Sequence, residues 1–514
     1  MKQAFSLFAL ISFLLISVPA AVPDAAADPS KAIRITPKAP VFSTKERHDE
    51  LRRRRDRVAA KMADNSILIL ISAEPKIYTN DVDYHYRQEN NLFYLTEIHQ
   101  NGANLVLVKN GGNVGEYLFL PKRNPQFETW NGRMLSNEEA LEISGIANVV
   151  DAAKWKEFIA ALKEKKDFSF ENTSLKGPSA PSTVYLLMGE DKREYGREQA
   201  LAEDLSGFKV ENSEPIFADL RLVKSPYELK LLQHAIDITT EALGRSMGIA
   251  GQAEWEYEVQ AEVEYTFRRR NADFWGYPSI VGCGANATTL HYVESQGRVR
   301  RGDLLLMDIG AEYKHYTADI TRTFPVNGKF TKVQADVYKV VYDAQEAAAA
   351  TMKPGSTVSQ ASRAAANTIE DGLVQLGLVT SKGATYDFEF NGQTFKRPQY
   401  TLWYMHGWGH WIGMNVHDVG SYGTFTEGMV ITNEPGIYIR EEALDYLSDT
   451  PANAEMKAAI KASFDKYKSI GVRIEDDMLV TKTGVEWLSK ALPRSIKDVE
   501  AFMAAASAEM RGRE

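Results

Sequence analysis

The sequence is poor in cysteine, in excess basic charge and in long apolar runs, and each shortage excludes a class of protein. Its 514 residues include one cysteine, Cys283, so an internal disulfide is excluded and stability has to come from a buried core. Cys283 is flanked by glycines without a nucleophile motif, and we expect it to be a buried small residue. The net charge of −9 argues against a nucleic-acid partner, because such proteins usually carry a basic face.

The one long apolar run stands near the beginning of the chain. Met1 and Lys2 precede an apolar stretch over residues 4–18, and small residues follow it. This order is typical of a secretory signal peptide, and the run is short for a membrane span. We therefore predict a signal over residues 1–20, cleaved after Ala20 or alternatively after Ala27. The expectation is export to a periplasm or to the medium, without stable membrane insertion after cleavage. An uncleaved anchor is the alternative.

The rest of the chain divides into a linker and two domains. Residues 21–43 are rich in proline and alanine and are interpreted as a linker. Residues 44–222 begin with a basic helix, whose arginine run we expect on a solvated face, and continue with strands such as SILILIS, ANLVLVK and EYLFLP. Ser225, Pro226 and Glu228 form a capping-box pattern that predicts a long helix at the start of a second domain, residues 223–514.

Two aspartates suggest a site in the second domain. Asp308 ends the apolar run DLLLMD, and Asp319 lies in the alternating segment TADITRTF. Two strands joined by a short connection would bring these carboxylates together. Buried carboxylates repel each other unless a cation or a shared proton compensates. A metal site, a metal-free carboxylate pair and an incidental pair on an exposed hairpin all remain open on this evidence. Thr321 would share the face of Asp319.

Three histidines follow within a short glycine-rich segment, YMHGWGHWIGMNVHDVG. His406 and His410 have the spacing of a helical zinc pair, but position 407 is not glutamate and the glycines disfavour a helix. We therefore expect an extended segment that directs some of His406, His410 and His417 into one pocket.

Two glutamates complete the set. Glu434 follows the apolar strand GMVITN and precedes a Pro-Gly turn, and Glu475 is expected inside the strand GVRIEDDMLV. A glutamate inside an apolar strand is costly unless it is paired, here with Arg473, or binds a metal. One imidazole and four carboxylates suit a pair of hard or borderline divalent ions, and such a pair supports hydrolysis.

These motifs resemble those of the aminopeptidase P and prolidase family of metallopeptidases. The resemblance rests on DIGAEYKHYTADITRTFPVNGKF, HGWGHWIGMNVHDVG, NEPGIYI and GVRIEDDMLV in this order, and on NDVDYHYRQENNLFYLT and ETWNGR in the first domain. It implies an α/β (α+β) architecture, with an N-terminal creatinase-like α/β domain followed by a C-terminal pita-bread metallopeptidase domain. It also implies peptide substrates with proline in second position, two divalent ions, usually Mn²⁺ with Co²⁺ or Zn²⁺ as substitutes, and a homodimer or homotetramer.

The resemblance also implies roles for single residues. A hydroxide held between the two ions would attack the scissile carbonyl, with Glu434 as the base. The other implied roles are metal ligation by Asp308, Asp319, His410, Glu434 and Glu475; stabilisation of the tetrahedral intermediate by His291 and His417; and substrate binding by His406, Tyr438, Arg473, Asp81 and Trp130.

Two departures from the family leave the length of the substrate open. The insert between Tyr438 and Gly471 is more like a prolidase, whereas GSYGTFTEGMV lacks the longer loop of many prolidases. The motifs of the first domain favour an aminopeptidase that acts on longer peptides. An Xaa-Pro dipeptidase is the alternative, and a non-catalytic peptide-binding protein of the same fold is a remote one.

Overall fold

The computed structural model describes residues 32–170, 173–175, 181–189 and 192–512. The predicted signal peptide and the first part of the predicted linker lie outside these residues. The described part of the linker, from residue 32 to 43, has no regular structure, yet it is anchored on the second domain. Ile33 is buried, and both the backbone N–H and the hydroxyl of Thr36 donate to the Glu241 carboxylate.

The first domain contains helices around one mixed sheet. Its helices are α1 Thr44–Lys61, α2 Asn90–Thr96, α3 Pro125–Asn131, α4 Asn137–Ser144, α5 Trp155–Lys163, α6 Lys192–Asp204 and α7 Glu214–Leu222. Its strands are β1 Ser66–Leu70, β2 Ile77–Thr79, β3 Val82–Asp83, β4 Asn104–Asn110, β5 Asn113–Leu120, β6 Asn148–Asp151, β7 Phe168–Phe170, β8 Thr173–Leu175, β9 Thr183–Leu186 and β10 Lys209–Asn212.

The main sheet of this domain has the order β10-β9-β1-β4-β5-β6. The hairpin β4–β5 and the pair β1–β4 are antiparallel, and the outer pairs are parallel. The three strands predicted from apolar runs are β1, β4 and β5. Strand β1 is buried along its whole length, because helices cover both faces of a mixed α/β sheet.

Helix α1 begins where the sequence predicts it, but only part of its arginine run is solvated: Arg52 is exposed and Arg53 half-buried, whereas the next two arginines are buried. Ser43 and Glu46 form a capping box at its start. Arg54 and Arg55 are only 2% and 1% exposed. Arg54 donates to Glu50 and to the carbonyl of Tyr94, and Arg55 donates to Glu116 and to two backbone carbonyls. The prediction was wrong for these two residues because the guanidinium groups satisfy carbonyls at the ends of neighbouring helices.

The second domain contains long helices outside several small antiparallel sheets. Its helices are α8 Pro226–Ile249, α9 Glu256–Arg269, α10 Lys332–Thr351, α11 Val358–Leu376, α12 Pro451–Tyr467 and α13 Ile496–Arg511. Its strands are β11 Phe274–Trp275, β12 Ile280–Cys283, β13 Leu304–Ile309, β14 Ala311–Tyr313, β15 Tyr316–Thr317, β16 Ile320–Pro325, β17 Thr385–Phe390, β18 Gln393–Pro398, β19 Val430–Asn433, β20 Gly436–Ile439, β21 Ile470–Arg473, β22 Asp476–Val480 and β23 Val485–Trp487.

Helix α8 confirms the predicted capping box. Ser225 accepts from the Glu228 N–H, the Glu228 side chain accepts from the Ser225 N–H, and Pro226 occupies the first turn. The helix packs against α9, α13 and the strands β14 to β16, and most of its residues are buried. It therefore supports, from behind, the strands that carry the two aspartates.

Polar contacts join the two domains next to the segment that carries His417. Arg221, at the end of α7, donates to Asp418, and Lys224 lies 3.4 Å from the other oxygen of the same carboxylate. Arg87 donates to Glu312 and to the carbonyl of Met414. The neighbours of His417 are thus fixed from the first domain as well as from the second.

In the part of the chain that the structure describes, no helix is both long and apolar enough to cross a membrane.

Candidate active site

The two aspartates lie on the hairpin that the sequence predicts. Strands β13 and β16 are antiparallel, with Asp308 opposite Thr321, and Asp319 immediately precedes β16. The hydroxyl of Tyr277 lies 2.5 Å from Asp308 Oδ1 and 2.6 Å from Asp319 Oδ1. A phenol has one hydrogen, so these two contacts require either a proton on one carboxylate or a compensating cation.

His410 and Glu434 approach the same point from the glycine-rich segment and from the end of β19. His410 Nε2 lies 3.4 Å from Asp319 Oδ2 and 3.3 Å from Glu434 Oε1. His410 Nδ1 lies 3.1 Å from the carbonyl of Trp411. A carbonyl only accepts, so Nδ1 carries a hydrogen. Nε2 therefore donates to the carboxylates when the ring is protonated, and when the ring is neutral its lone pair is available to a cation held between them. This is the orientation of a metal-binding histidine.

Glu475 closes the group, although it does not lie inside a strand as predicted. It occupies a two-residue break between β21 and β22, where the chain leaves one sheet and enters another. Its carboxylate accepts from the Thr321 hydroxyl at 2.6 Å, which confirms Thr321 as a supporting neighbour. Ligand atoms of Asp319, His410 and Glu475 all lie within 4.8 Å of one another.

The buried carboxylates strongly affect one another. Burial and the neighbouring Asp308 raise the pKa of Asp319 to about 6. Burial also raises the pKa of Glu434 to about 7, against the lowering effect of His410, and it raises that of Glu475 well above its ordinary value. Burial lowers the pKa of His410, but Asp319 and Glu434 outweigh this effect and raise it to about 9. This excess of buried negative charge fits divalent cations.

A hydrogen-bonded row of side chains extends from Asp308 away from this centre. Arg473 donates to Asp308 through Nη2 and to the Tyr438 hydroxyl through Nη1, the latter at 2.6 Å. His406 Nε2 lies 2.9 Å from the same hydroxyl, and its Nδ1 lies 2.7 Å from the carbonyl of Gly407. Burial and Arg473 lower the pKa of His406 to about 3, so the ring is neutral. We call this row the Arg473–His406 row.

The two aspartates, the two glutamates, His410, His406 and Arg473 line one cavity of about 660 Å³, the active-site cavity, whereas Tyr438 is fully buried. His291 and His417 lie in its wall, and the His417 ring contacts that of His410 edge-on, with 4.3 Å between centroids. Burial and the adjacent His410 lower the pKa of His417. The remaining wall is largely apolar and consists of Pro278, Ile280, Leu290, Val293, Val416 and Tyr422.

Comparisons with known proteins agree with this geometry. Residues 230–482 match metallopeptidase family M24, and residues 51–169 match the aminopeptidase P N-terminal domain. The Xaa-Pro aminopeptidase of Haemophilus influenzae is 36% identical over 461 residues, which are 88% of this chain and 97% of that protein. The chain belongs to metallopeptidase family M24.

Further relatives support membership over almost the whole chain. The Xaa-Pro aminopeptidase of Escherichia coli is 33% identical over 463 residues, 89% of this chain and 98% of that protein. A solved structure of aminopeptidase P from E. coli, a low-pH form, superposes with a TM-score of 0.74 at 29% identity, covering 91% and 99% of the two chains. The protein is therefore an α/β metallopeptidase with an aminopeptidase P N-terminal domain and a pita-bread domain, and this family implies divalent metal ions.

Asp81 and Trp130, two of the predicted substrate-binding residues, do not line the active-site cavity. Asp81 is exposed in the turn between β2 and β3. Trp130, near the end of α3, is 84% exposed. Neither lines the cavity, whereas His406 and Arg473 do, and the fully buried Tyr438 forms hydrogen bonds with both of them.

Three supporting residues of the metallopeptidase site were missed in the sequence. Tyr277 contacts both aspartates, Thr432 accepts from the His410 N–H and lies 3.2 Å from Glu434, and Asp477 accepts from the Asp319 N–H. Thr432 and Glu434 are two positions apart, as Asp319 and Thr321 are, and residues two apart on a strand share a face. The same spacing could therefore have identified Thr432 from the sequence. Tyr277 has no such signal, because its contact depends on the packing of the segment before β12.

Proposed function

We propose that this metallopeptidase is an Xaa-Pro aminopeptidase, which hydrolyses the bond between an N-terminal residue and a proline in second position. The observation that carries the proposal is the active-site cavity itself. Five ligand side chains meet at one end, and the Arg473–His406 row and an apolar wall continue from them. The names of the relatives from H. influenzae and E. coli support the same specificity.

Asp308, Asp319, His410, Glu434 and Glu475 would hold two divalent ions, which we propose to be Mn²⁺, with Co²⁺ or Zn²⁺ as substitutes. Carboxylate oxygens and one imidazole nitrogen are a donor set that Mn²⁺ accepts. When bound, such ions polarise the scissile carbonyl and lower the pKa of the attacking water.

Glu434 is proposed as the base. Its carboxylate lies 3.3 Å from His410 Nε2, and the Thr432 hydroxyl lies 3.2 Å from one of its oxygens. A base of this kind takes a proton from the attacking water and delivers it to the leaving amine. His291 and His417, in the wall of the cavity, are placed to donate hydrogen bonds to the oxygen that becomes negative.

The preference for proline is proposed to come from the wall of the cavity. Proline lacks the amide N–H that many peptidases bind, so recognition has to depend on the shape of its ring. The apolar side chains of Ile280, Leu290 and Val293 and the neutral ring of His406 offer such a surface. The buried Tyr438 and Arg473 fix the His406 ring in place.

Three peptides test the proposal, Ala-Pro-Ala, Ala-Pro and Ala-Ala-Ala. Chelator-treated enzyme should be inactive, and Mn²⁺ should restore release of alanine from Ala-Pro-Ala but not from Ala-Ala-Ala. Glu434→Gln should lose roughly 10³-fold or more in kcat, because base and ligand are lost together. Glu427→Gln is the matched control, an exposed glutamate in the loop before β19. Rapid cleavage of Ala-Pro alone would establish the dipeptidase alternative, and activity without divalent ions would refute the proposal.

We also propose that the enzyme forms a homodimer or homotetramer. The first domain exposes the large apolar side chains Ile77, Tyr78, Val82, Tyr84, Phe127 and Trp130, a composition typical of surfaces that become covered. Light scattering should give a multiple of the chain mass, and a mass at or below 57.5 kDa at micromolar concentration would contradict the proposal.

Export is a further proposal, supported by the predicted signal over residues 1–20. Cell fractionation followed by N-terminal sequencing should find a mature chain that starts at position 21 outside the cytoplasm. A chain that retains Met1 and stays in the cytoplasm would contradict it.

A further inference from the structure

A second cavity of about 770 Å³ lies between the two domains and borders the active-site cavity at Val416 and His417. We call it the interdomain cavity. Three of the nine histidines of the chain line it, namely His85 and His99 of the first domain and His315 of the second. The proposed catalytic mechanism uses none of these three.

The protonation pattern of His315 can be assigned from its neighbours. Its Nδ1 lies 3.1 Å from Asn90 Oδ1. The Asn90 side chain has a fixed orientation, because Arg87 Nη1 is a donor and lies 2.7 Å from the same Oδ1, while Asn90 Nδ2 donates to Asn415. The Asn90 oxygen therefore accepts from His315 Nδ1, which has to carry a hydrogen.

The other nitrogen of His315 is left as a buried acceptor. Burial lowers the pKa of His315 well below its ordinary value, so the ring is neutral and Nε2 keeps a lone pair. The residue is only 2% exposed, and among the described residues Nε2 has no hydrogen-bond partner. A buried acceptor without a partner costs free energy. A neutral histidine with Nδ1–H bound to an amide oxygen and a free Nε2 has the arrangement of a metal ligand.

The other two histidines lie within reach of one ion. The His99 ring centroid is 5.7 Å from that of His315 and 6.4 Å from that of His85. Two imidazoles on one tetrahedral zinc have centroids roughly 5–6 Å apart, given Zn–N bonds of about 2.0–2.1 Å. His85 and His99 are exposed to the cavity, so they can change rotamer. Their nitrogens do not yet converge, and within the described residues only Asp319, His410 and Glu475 form a close ligand group.

We propose that the interdomain cavity binds one borderline divalent transition-metal ion, such as Zn²⁺, through Nε2 of His315 together with His99 and His85. Three imidazoles and a water are a common zinc set. Each carboxylate that lines the cavity already has a partner: Glu312 pairs with Arg87, Asp273 accepts from the Lys314 N–H and Glu97 accepts from the Tyr227 hydroxyl. The imidazoles are therefore the donors proposed for the ion. An all-nitrogen set favours zinc over manganese, which prefers oxygen ligands. The ion would connect the first domain to the β14–β15 turn.

The test uses the full-length enzyme saturated with Zn²⁺, and it counts bound zinc by equilibrium dialysis and elemental analysis. Wild type should bind one zinc per chain more than His99→Asn and His315→Gln. His48→Asn is the matched control, because this half-buried histidine of α1 lies 2.7 Å from the carbonyl of Glu142, does not line the interdomain cavity and should leave the count unchanged. Because His315 is buried and its substitution also removes the contact with Asn90, the exposed His99 is the deciding position.

A second measurement follows thermal stability. In enzyme already loaded with Mn²⁺, added Zn²⁺ should raise the Tm of wild type and of His48→Asn, because the ion binds only the folded domain pair. The increase should be clearly smaller in His99→Asn, because one of the three ligands is lost, whereas any effect of zinc that replaces manganese in the active-site cavity should be the same in all three proteins. Equal zinc counts and equal Tm shifts in wild type and His99→Asn would overturn the proposal.

Discussion

Metal binding to this enzyme should release several protons, and their number should depend strongly on pH. The ligands have to be deprotonated before they bind a divalent ion. Without metal, the pKa values of Asp319 and Glu434 are raised to about 6 and about 7, that of His410 to about 9, and that of Glu475 well above its ordinary range. The cause is the same for all three carboxylates, which are buried next to one another.

The magnitude follows from these values. At pH 6, Asp319 is about half protonated, and Glu434 and His410 are almost fully protonated, so these three residues should release roughly two protons per chain on full loading. The overall binding constant should then fall by at least about 10² for each pH unit below 6, or about 3 kcal/mol. At pH 8, Asp319 and Glu434 are already ionised, and the release from these residues should drop to roughly one proton, from His410.

Calorimetric titration of Mn²⁺ into chelator-treated enzyme measures this directly. Buffers with different enthalpies of protonation give the number of protons at pH 6 and pH 8. Glu434→Gln should release about one proton fewer than wild type at pH 6 and nearly the same number at pH 8. A release below one proton at pH 6, or equal release at both pH values, would refute the account of a mutually perturbed carboxylate group.

Three further substitutions test separate parts of the structure. Tyr277→Phe removes the hydroxyl that contacts both aspartates and should weaken Mn²⁺ binding roughly 10- to 100-fold. Activity titrations should then show a higher Mn²⁺ concentration at half-maximal activity, and an unchanged concentration would contradict this prediction. The two carboxylate oxygens of Glu256 accept from the backbone N–H groups of Cys283 and Gly297, which flank the His291 loop. Glu256→Gln replaces one of these acceptors and should lower the free energy of urea unfolding by about 1–3 kcal/mol. The control, Glu254→Gln at an exposed position, should lower it by less than about 0.5 kcal/mol. Arg322→Met leaves the fully buried Asp476 without its ion-pair partner and should lower the free energy of unfolding by about 3–5 kcal/mol. Adding Asp476→Leu to this variant should restore part of that free energy if the unpaired charge, and not the change in volume, is the cause.

Local patterns in the sequence were sufficient for the elements that carry the ligands. The apolar run before Asp308, the alternation after Asp319 and the capping box at Ser225 each depend on residues within a few positions, and the structure confirms all three. Thr321 was predictable for the same reason, because residues two apart on a strand share a face.

Features that depend on packing between distant segments could not be predicted. Arg54 and Arg55 belong to a basic run that is normally solvated, and only the neighbouring helix ends explain their burial. Tyr277 reaches the aspartates through the tertiary fold. The resemblance to relatives suggested Asp81 and Trp130 as substrate contacts, yet a single chain leaves both exposed and outside the active-site cavity.

The Arg473–His406 row has a fixed direction. Arg473 only donates, so the Tyr438 hydroxyl accepts from it and directs its own hydrogen to His406 Nε2, and His406 Nδ1–H points to the Gly407 carbonyl. Each hydrogen bond of the row thus has a defined donor and acceptor. A proton could pass along the row only if the hydrogen bonds of all its members were reversed. The row is therefore a rigid spacer and not a proton conductor. It sets the distance between the surface proposed to bind the proline ring and the Asp308 carboxylate, so that a change at His406 should affect metal binding as well as substrate binding if both proposals hold.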